Sequence, residues 1–510
     1  AFALYDAREG ALLLARDRLG QKPLWYAPLA DRIVFASEAS ALLAHPDVTP
    51  EPDIGCTALY MCMGYVPGPR SAWRGVLKLP PATYSLSIDR LGMPESYWRI
   101  PEDDQPAPPD VEARTAELLR ETVGSRLVSD VPLGTLLSGG LDSAIVTALA
   151  CEAAGDAAAV RTFTAGFDDP RYDERPLAAL TARRLGTRHT ELQVESPKAD
   201  TIWALVDRYT EPFADSSAVP TFQVCQAARE HVTVALAGDG GDEVFGGYDR
   251  YRAMHLAQHL RPWEYAGLLL VATVIGPFAG QDERSRLRRI VRFAGGLPHP
   301  PSLQYFIYRS MLSAQQLAEL FEPDFLDSLA GPSPLEWFAD LYESADRVDE
   351  ACQAQTMDLR TYLPDDLLVK ADIASMASSL ELRAPLLDHR IVEWGLQLPA
   401  KWKVGRGGGK RILRSLFADK LPAEVLAAPK RGFGVPLAAW LCGPVAETLQ
   451  GVLLDEAFLN RGIFNPLAVR SMVATHLNGR RDHSHRLWAL LVFARWLSGR
   501  AFAARTGGRF

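Results

Sequence analysis

The first hundred residues alternate short apolar runs with turn residues. FALYDA (2–7), ALLLARD (11–17), PLWYAP (23–28) and DRIVFAS (31–37) read as strands of a meander or of hairpins. Residues 101–110 then carry four prolines and four acids in ten positions, which is linker composition. Beyond it the period changes. Val111, Leu118, Leu119, Val123 and Leu127 recur at helical spacing over 111–128, ahead of an apolar run from Val131 to Leu137. Strand-then-helix units follow. After SGGLDS comes the helical AIVTALACEAAG; VRTFTAGF precedes PLAALTARRLG; TELQV precedes a helix near 200–209; and VTVALAG precedes a second glycine-rich loop. Strands alternating with helices predict an α/β fold with a doubly wound parallel sheet. From about residue 250 onward the pattern is mainly helical, with Pro/Gly-rich loops at 294–302 and 405–409.

Composition narrows the class. In 510 residues, 48% are apolar and 23% charged, which excludes a collagen, a long coiled coil or a largely disordered chain. Fifty-four basic against 62 acidic residues leave a net charge of −8, so no nucleic-acid or membrane-surface partner is expected, although a local phosphate pocket is compatible with it. Cys56, Cys62, Cys151, Cys225, Cys352 and Cys442 are scattered without a CxxC pair, which predicts reduced thiols and a cytoplasmic location. The most apolar run, Ala266 to Ala279, is 14 residues long and holds Gly276 and Pro277. Spanning a bilayer takes roughly 20 residues, so a buried helix is expected there. The chain opens at Ala1 directly in a strand-like run, and we expect a fragment whose N-terminal region lies upstream.

Candidate chemistry sits in two loops. Ser138-Gly139-Gly140-Leu141-Asp142-Ser143 falls between an apolar strand and a helix. Paired glycines let backbone N–H groups approach an anion closely, and the helix N-terminus adds partial positive charge. The hydroxyls of Ser138 and Ser143 can donate to phosphate oxygens. Asp142 would repel a bare phosphate, and its sensible task is to hold Mg²⁺. The bland alternative is a glycine turn with a serine cap. The second loop, Gly238-Asp239-Gly240-Gly241-Asp242-Glu243, follows the buried-type strand VTVALA. Acids at a strand's C-terminal end lie where α/β folds bind ligands. Asp242 is a second candidate Mg²⁺ ligand, and Asp239 or Glu243 a candidate to orient or deprotonate an amine. The bland alternative is an acidic surface turn.

SGGLDS after VPLGTLL resembles the pyrophosphate loop of N-type ATP pyrophosphatases. Together with AGDGGDEVFGGY (237–248) and LPDDLLVKADIASMASSLELRAPLLDHR (363–390), it resembles the asparagine synthetase family. AFALYDAREGALLLARDRLGQKPLWYA (1–27) and FASEASALL (35–43) are similar to the later half of that family's class-II glutamine amidotransferase domain. The resemblance covers nearly the whole chain. It implies a partial β-rich amidotransferase-type sandwich at 1–100, a linker at 101–110, and a synthetase unit at 111–500 with a helical C-terminal region.

The resemblance also implies a reaction. ATP adenylates a carboxylate with release of pyrophosphate, and ammonia then gives an amide and AMP. Matching positions are Ser138, Gly139, Gly140, Asp142 and Ser143 for pyrophosphate and Mg²⁺, with Asp242 as the other metal ligand. Leu136, Leu137, Ala165, Ala237 and Gly238 match adenosine contacts. Lys430 in APKRGFGVP matches a lysine that neutralises phosphates, and an acid at Asp239 matches use of an external amine. Arg383 and Asp388 are expected to pair structurally. Expected partners are small molecules: ATP, aspartate or another carboxylate, and glutamine or ammonia; a homodimer is allowed. There are departures. Asp215, Ser216 and Ser217 occupy the stretch where the family has Thr and Arg for aspartate, and Ile373 stands where many relatives have Lys or Arg. Both leave the acceptor acid open, including a sugar acid or a peptide. The family's glutaminase depends on an N-terminal Cys. The chain begins at Ala1, so no glutaminase residue is assigned, and this polypeptide is expected to use free ammonia at best. The alternatives are a lactam or other amidating synthetase of the same fold, and a non-catalytic nucleotide-binding relative.

Overall fold

A computed structural model describes all residues except 88–91, 102–108, 167–172, 194–198, 279–285, 346, 406, 431, 433 and 500–510. The strands predicted near the start are present: β1 (Phe2–Asp6), β2 (Ala11–Ala15), β3 (Trp25–Pro28) and β4 (Ile33–Ala36). With β5 (Leu77–Lys78), β6 (Thr83–Ser87) and β7 (Glu95–Ser96) they form two antiparallel sheets, ordered β1-β2-β6-β7 and β4-β3-β5. Leu14 of β2 and Tyr26 of β3 meet in a small core between them with Leu24 and Leu79. Most of the Pro/acid linker lies outside the described residues.

Five parallel strands form the second sheet: β8 (Leu133–Leu136), β9 (Arg161–Gly166), β10 (Arg188–Gln193), β11 (Val234–Leu236) and β12 (Glu381–Arg383), in the order β10-β9-β8-β11-β12. Both faces are covered. Helices Val111–Arg126 and Leu141–Ala154 bury Leu119, Val123, Ile145 and Leu149 in one cluster. Cys225 and Ala228 of the helix Ala218–Arg229 pack on Phe163, Leu192 and Ala235 in another. A buried hydroxyl pair, Thr135–Thr147 at 3.0 Å, ties the helix after β8 back onto its own strand. β8 and β11 are direct neighbours, with Thr135 opposite Leu236. The two glycine-rich loops therefore leave the same end of the sheet side by side.

Two expectations are corrected. The apolar run near 266–279 does form a helix, Pro262–Ile275, but none of its residues is buried; Leu270 is 67% and Val274 60% exposed. It packs chiefly against one neighbour, the basic amphipathic helix Arg286–Gly296, and a single partner cannot cover a helix that is apolar all round. The loop expected at 294–302 shrinks to four residues, because this helix runs through Gly296 and the next starts at Pro301. Among the described residues, no helix is long and apolar enough to cross a membrane. The largest core is shared by both halves of the chain: Trp25, Tyr60 and Trp73 pack with Trp203, Phe321, Trp488 and Phe493.

Candidate functional site

The helix Leu141–Ala154 starts immediately after Gly140, so Asp142 and Ser143 occupy its first turn. Ser138 and Ser143 bridge hydroxyl to hydroxyl at 2.8 Å, and the Ser138 and Gly140 amides donate to Ser143 Oγ and Ser138 Oγ at 3.1 Å. The Gly139 amide donates to a Glu174 carboxylate oxygen at 3.3 Å, so it already faces an anionic oxygen. The strand ends supply an apolar wall. Leu136 and Ala165 pack together with Val224; Leu137 is buried, and Ala237 and Gly238 follow β11 directly.

The second loop turns sharply enough to need Gly240 in the left-handed region, φ +92°. Its short helix Gly241–Phe245 presents Asp242 to Asp142. The approach is close: a Cβ at Gly241 would lie 2.5 Å from the Asp142 carboxyl carbon, and one at Gly247 1.8 Å from Asp242 Oδ1. Lys410 Nζ joins the two loops, donating to Asp142 Oδ2 and lying 2.5 Å from Asp242 Oδ1. Lys430 donates to Asp242 Oδ2. Burial pushes the Asp242 carboxyl up, but the two lysines outweigh it and hold the group below the usual carboxylate range. Burial raises Asp142, against the pull of Lys410. The charges of Asp242 and Asp142 overcome burial at Lys430 and keep its ammonium charged.

Asp142 and Asp242 both reach the Lys410 ammonium, which lies between them. Asp142 Oδ1 is buried and lacks a hydrogen-bond partner, which suits a metal ligand. No group of three His, Cys, Asp or Glu side chains is placed to hold a metal among the described residues. Two carboxylates fit a hard divalent ion that takes its remaining oxygens from phosphates and water.

Beyond the metal pair lies a second polar cluster. Glu243 is fully buried and accepts from Tyr248 Oη at 2.5 Å; burial, then the charge of Asp242, push its carboxyl up to about 7. Asp239 is half-buried, and its carboxyl is raised by burial against the pull of Lys370 and Lys430. Lys370 Nζ donates to Asp215 Oδ2 at 2.9 Å and to Ser217 Oγ at 3.0 Å. Burial opposes it, but these contacts bring Asp215 down to about 2. Asp215 and Ser217 are thus the half-buried partners of a lysine from the 363–390 block. Arg309 stacks over Tyr362 at 4.0 Å, and Arg250 over Tyr248 at 3.8 Å.

Every residue predicted for phosphate or metal lies at this end of the sheet. The expected Arg383–Asp388 pair does not form. Arg383 bonds Glu381 at 2.7 Å and the carbonyls of Arg126 and Val128, because a β12 residue projects across the adjacent loop; Asp388 caps its own helix and pairs with Arg390 at 2.9 Å. The sequence reading missed Lys410, Lys370 and Arg309. Lys410 carries a faint signal, a lysine closing the run GRGGGK; Lys370 sits inside a motif already noted; Arg309 carries none.

A profile of the asparagine synthase family matches residues 114–498, and one of the glutamine amidotransferase domain matches residues 1–98. The chain belongs to the asparagine synthase family. Membership makes it a carbon–nitrogen ligase with an amidotransferase segment attached. A Mycobacterium tuberculosis protein, named provisionally as asparagine synthetase (glutamine-hydrolyzing), is 33% identical over 527 residues, covering 97% of this chain and 76% of the relative. Asparagine synthetase (glutamine-hydrolyzing) 1 of Bacillus subtilis is 28% identical over 513 residues, covering 98% and 77%. Amidase chry2 of Gibberella zeae is 25% identical over 503 residues, covering 91% and 73%.

Proposed function

We propose that this chain adenylates a carboxylate with ATP and converts it to an amide with nitrogen from glutamine or ammonia. Aspartate is the acceptor, and asparagine, AMP and pyrophosphate are the products. The observation that carries the reading is the meeting of Asp142 and Asp242 across two loops from neighbouring parallel strands, bridged by Lys410. Leu136, Leu137, Ala165, Ala237 and Gly238 would form the adenosine wall. An acceptor oxygen attacks the α-phosphorus, and the bond to the β-phosphate oxygen breaks. Pyrophosphate then gathers negative charge against the amides of the Ser138–Ser143 loop, the two serine hydroxyls, Lys410 and Lys430. Mg²⁺ held by Asp142 and Asp242 would supply further neutralisation of that leaving group. Ammonia attacks the acyl carbon, the bond to AMP breaks, and Asp239 or Glu243 takes the surplus proton. A value near 7 suits Glu243 to that task.

Residues 1–100 then serve as part of the amidotransferase domain, 101–110 as a linker and 111–500 as the synthetase unit, in a cytoplasmic enzyme that could pair as a homodimer. A cavity of about 190 Å³ lined by Arg16, Trp25, Lys78, Glu211, Asp365 and Ile373 adjoins both units and supports nitrogen passing between them.

The full chain with ATP, Mg²⁺, ammonia and aspartate should yield AMP and asparagine in equal amounts; ADP and phosphate would overturn the adenylation step. Asp142→Asn should lower turnover by about 100-fold or more. A second reading, a different acceptor carboxylate, is favoured by the Lys370-bound Asp215 and Ser217 in the acceptor stretch. Turnover of another acid with none of aspartate would select it.

A further inference from the structure

Two half-buried arginines flank the proposed acceptor space, and their surroundings differ. Arg250 is closed: Asp358 Oδ2 lies 2.6 Å from its Nη2 and 3.0 Å from its Nε, and the same oxygen accepts from the Tyr251 and Tyr305 hydroxyls at 2.6 Å. Arg309 is open. It ends the helix Pro301–Arg309, stacks on Tyr362 and lies 5.7 Å from the Tyr65 ring. The carboxylate it faces, Asp366 Oδ2, is 3.8 Å from Nη2, beyond hydrogen-bond length. Nε and Nη2 of Arg309 and Oδ1 of Asp366 are all buried without a partner. The two side chains are only 11% and 10% exposed. A buried guanidinium with unmet donors is costly, and folding alone gives no reason to keep it.

A ligand carrying one charge of each sign would satisfy both groups. We propose that Arg309 and Asp366 select the acceptor: the guanidinium takes the α-carboxylate of a free amino acid, Asp366 takes its α-ammonium, and the distal carboxylate turns toward Lys430 and the phosphates. This rests on the ligase reading above. Asp366 precedes the helix Leu368–Met376 that carries Lys370, and the Lys370 charge acts on both Asp366 and Asp239. The acceptor end and the amine end of the site therefore share one wall. Burial, then Asp215, lift the Asp366 carboxyl well above its ordinary range, and an arriving ammonium would reverse that. A dicarboxylate lacking the amine would set a carboxylate against Asp366. An amine lacking the α-carboxylate would leave Arg309 unpaired.

The test measures AMP formation by the full chain with ammonia and one of three acids: aspartate, succinate (no ammonium) or β-alanine (no α-carboxylate). Aspartate should be preferred over both. Arg309→Gln should raise the aspartate KM by about 10- to 100-fold, the loss expected for one charged hydrogen-bonded contact, with the ATP KM within about twofold. Arg309→Lys, which keeps charge and bulk, should fall between. Asp366→Asn should cut the aspartate-to-succinate ratio of kcat/KM by about 10-fold, a change that a merely structural defect, lowering both alike, would not produce. Unchanged aspartate KM in Arg309→Gln, an unchanged ratio in Asp366→Asn, or wild-type indifference among the acids would overturn the assignment. No AMP from the wild type with any of them would instead overturn the ligase reading beneath it.

Discussion

Lys410→Met tests the welding of the two loops directly. The ammonium is 6% exposed and is the cation bonded to Asp142; Asp242 keeps Lys430. Removing it leaves the Asp142 carboxylate buried and unpaired, and the cheapest relief is a proton. The penalty at pH 7 is then capped by the work of protonating an ordinary carboxyl, about 3 pH units at about 1.4 kcal/mol each, or about 4 kcal/mol. The sign is fixed. In the variant the folded pKa of Asp142 rises further above its unfolded value, so stability is lost as pH climbs from about 4 to 7 and is regained at lower pH. Scanning fluorimetry should find a melting temperature lower by on the order of 4 °C at pH 7 and by much less at pH 5. Adding Asp142→Asn should recover most of the loss, since the stranded charge is gone; the two changes will be far from additive. A deficit equal at both pH values, and untouched by Asp142→Asn, would refute the account.

Three further outcomes follow from the geometry. Gly247→Ala puts a Cβ 1.8 Å from Asp242 Oδ1 and 2.3 Å from Lys410 Cε, so AMP formation should fall by about 100-fold or more while the melting temperature changes modestly. Glu243, raised to about 7, favours the folded state at low pH, and that contribution is lost as pH rises from 4.5 through about 7. Glu243→Gln should flatten this part of a urea-stability profile, and Tyr248→Phe, which removes a hydrogen bond that lowers Glu243, should move it to higher pH. Lys78 and Glu211 form a buried pair at 2.5 Å, 6% and 9% exposed; Lys78→Met should cost about 3–5 kcal/mol by equilibrium unfolding, and Lys78→Met with Glu211→Gln much less.

The strands of the first hundred residues and the strand–loop–helix order around Ser138 and Asp242 were legible because period and turn chemistry are local signals. The meeting of the two loops was legible as well, because acids at the ends of parallel strands converge when those strands are neighbours. Lys410 lies 268 positions from the carboxylate it binds, and Arg309 reaches its pocket from the end of an unremarked helix. Such residues are brought in by tertiary packing, which no window of sequence reports. The run at 266–279 failed for another reason. Apolarity sets a preference for burial, but burial needs neighbours, and this helix has mainly one.

The shared core bears on how this enzyme could be taken apart. Tyr60 donates to the Ala489 carbonyl at 2.9 Å, Trp73 Nε1 to that of Thr210 at 2.8 Å, and the Trp73 ring meets Trp496 edge-on at 5.4 Å. Severing the backbone between residues 100 and 111 would therefore release no free module: the pieces should copurify as one nicked particle, and expressing residues 111–510 alone would bare a sticky aromatic scar. An ammonia-only ligase made from this chain has to keep the strands it no longer needs for glutamine.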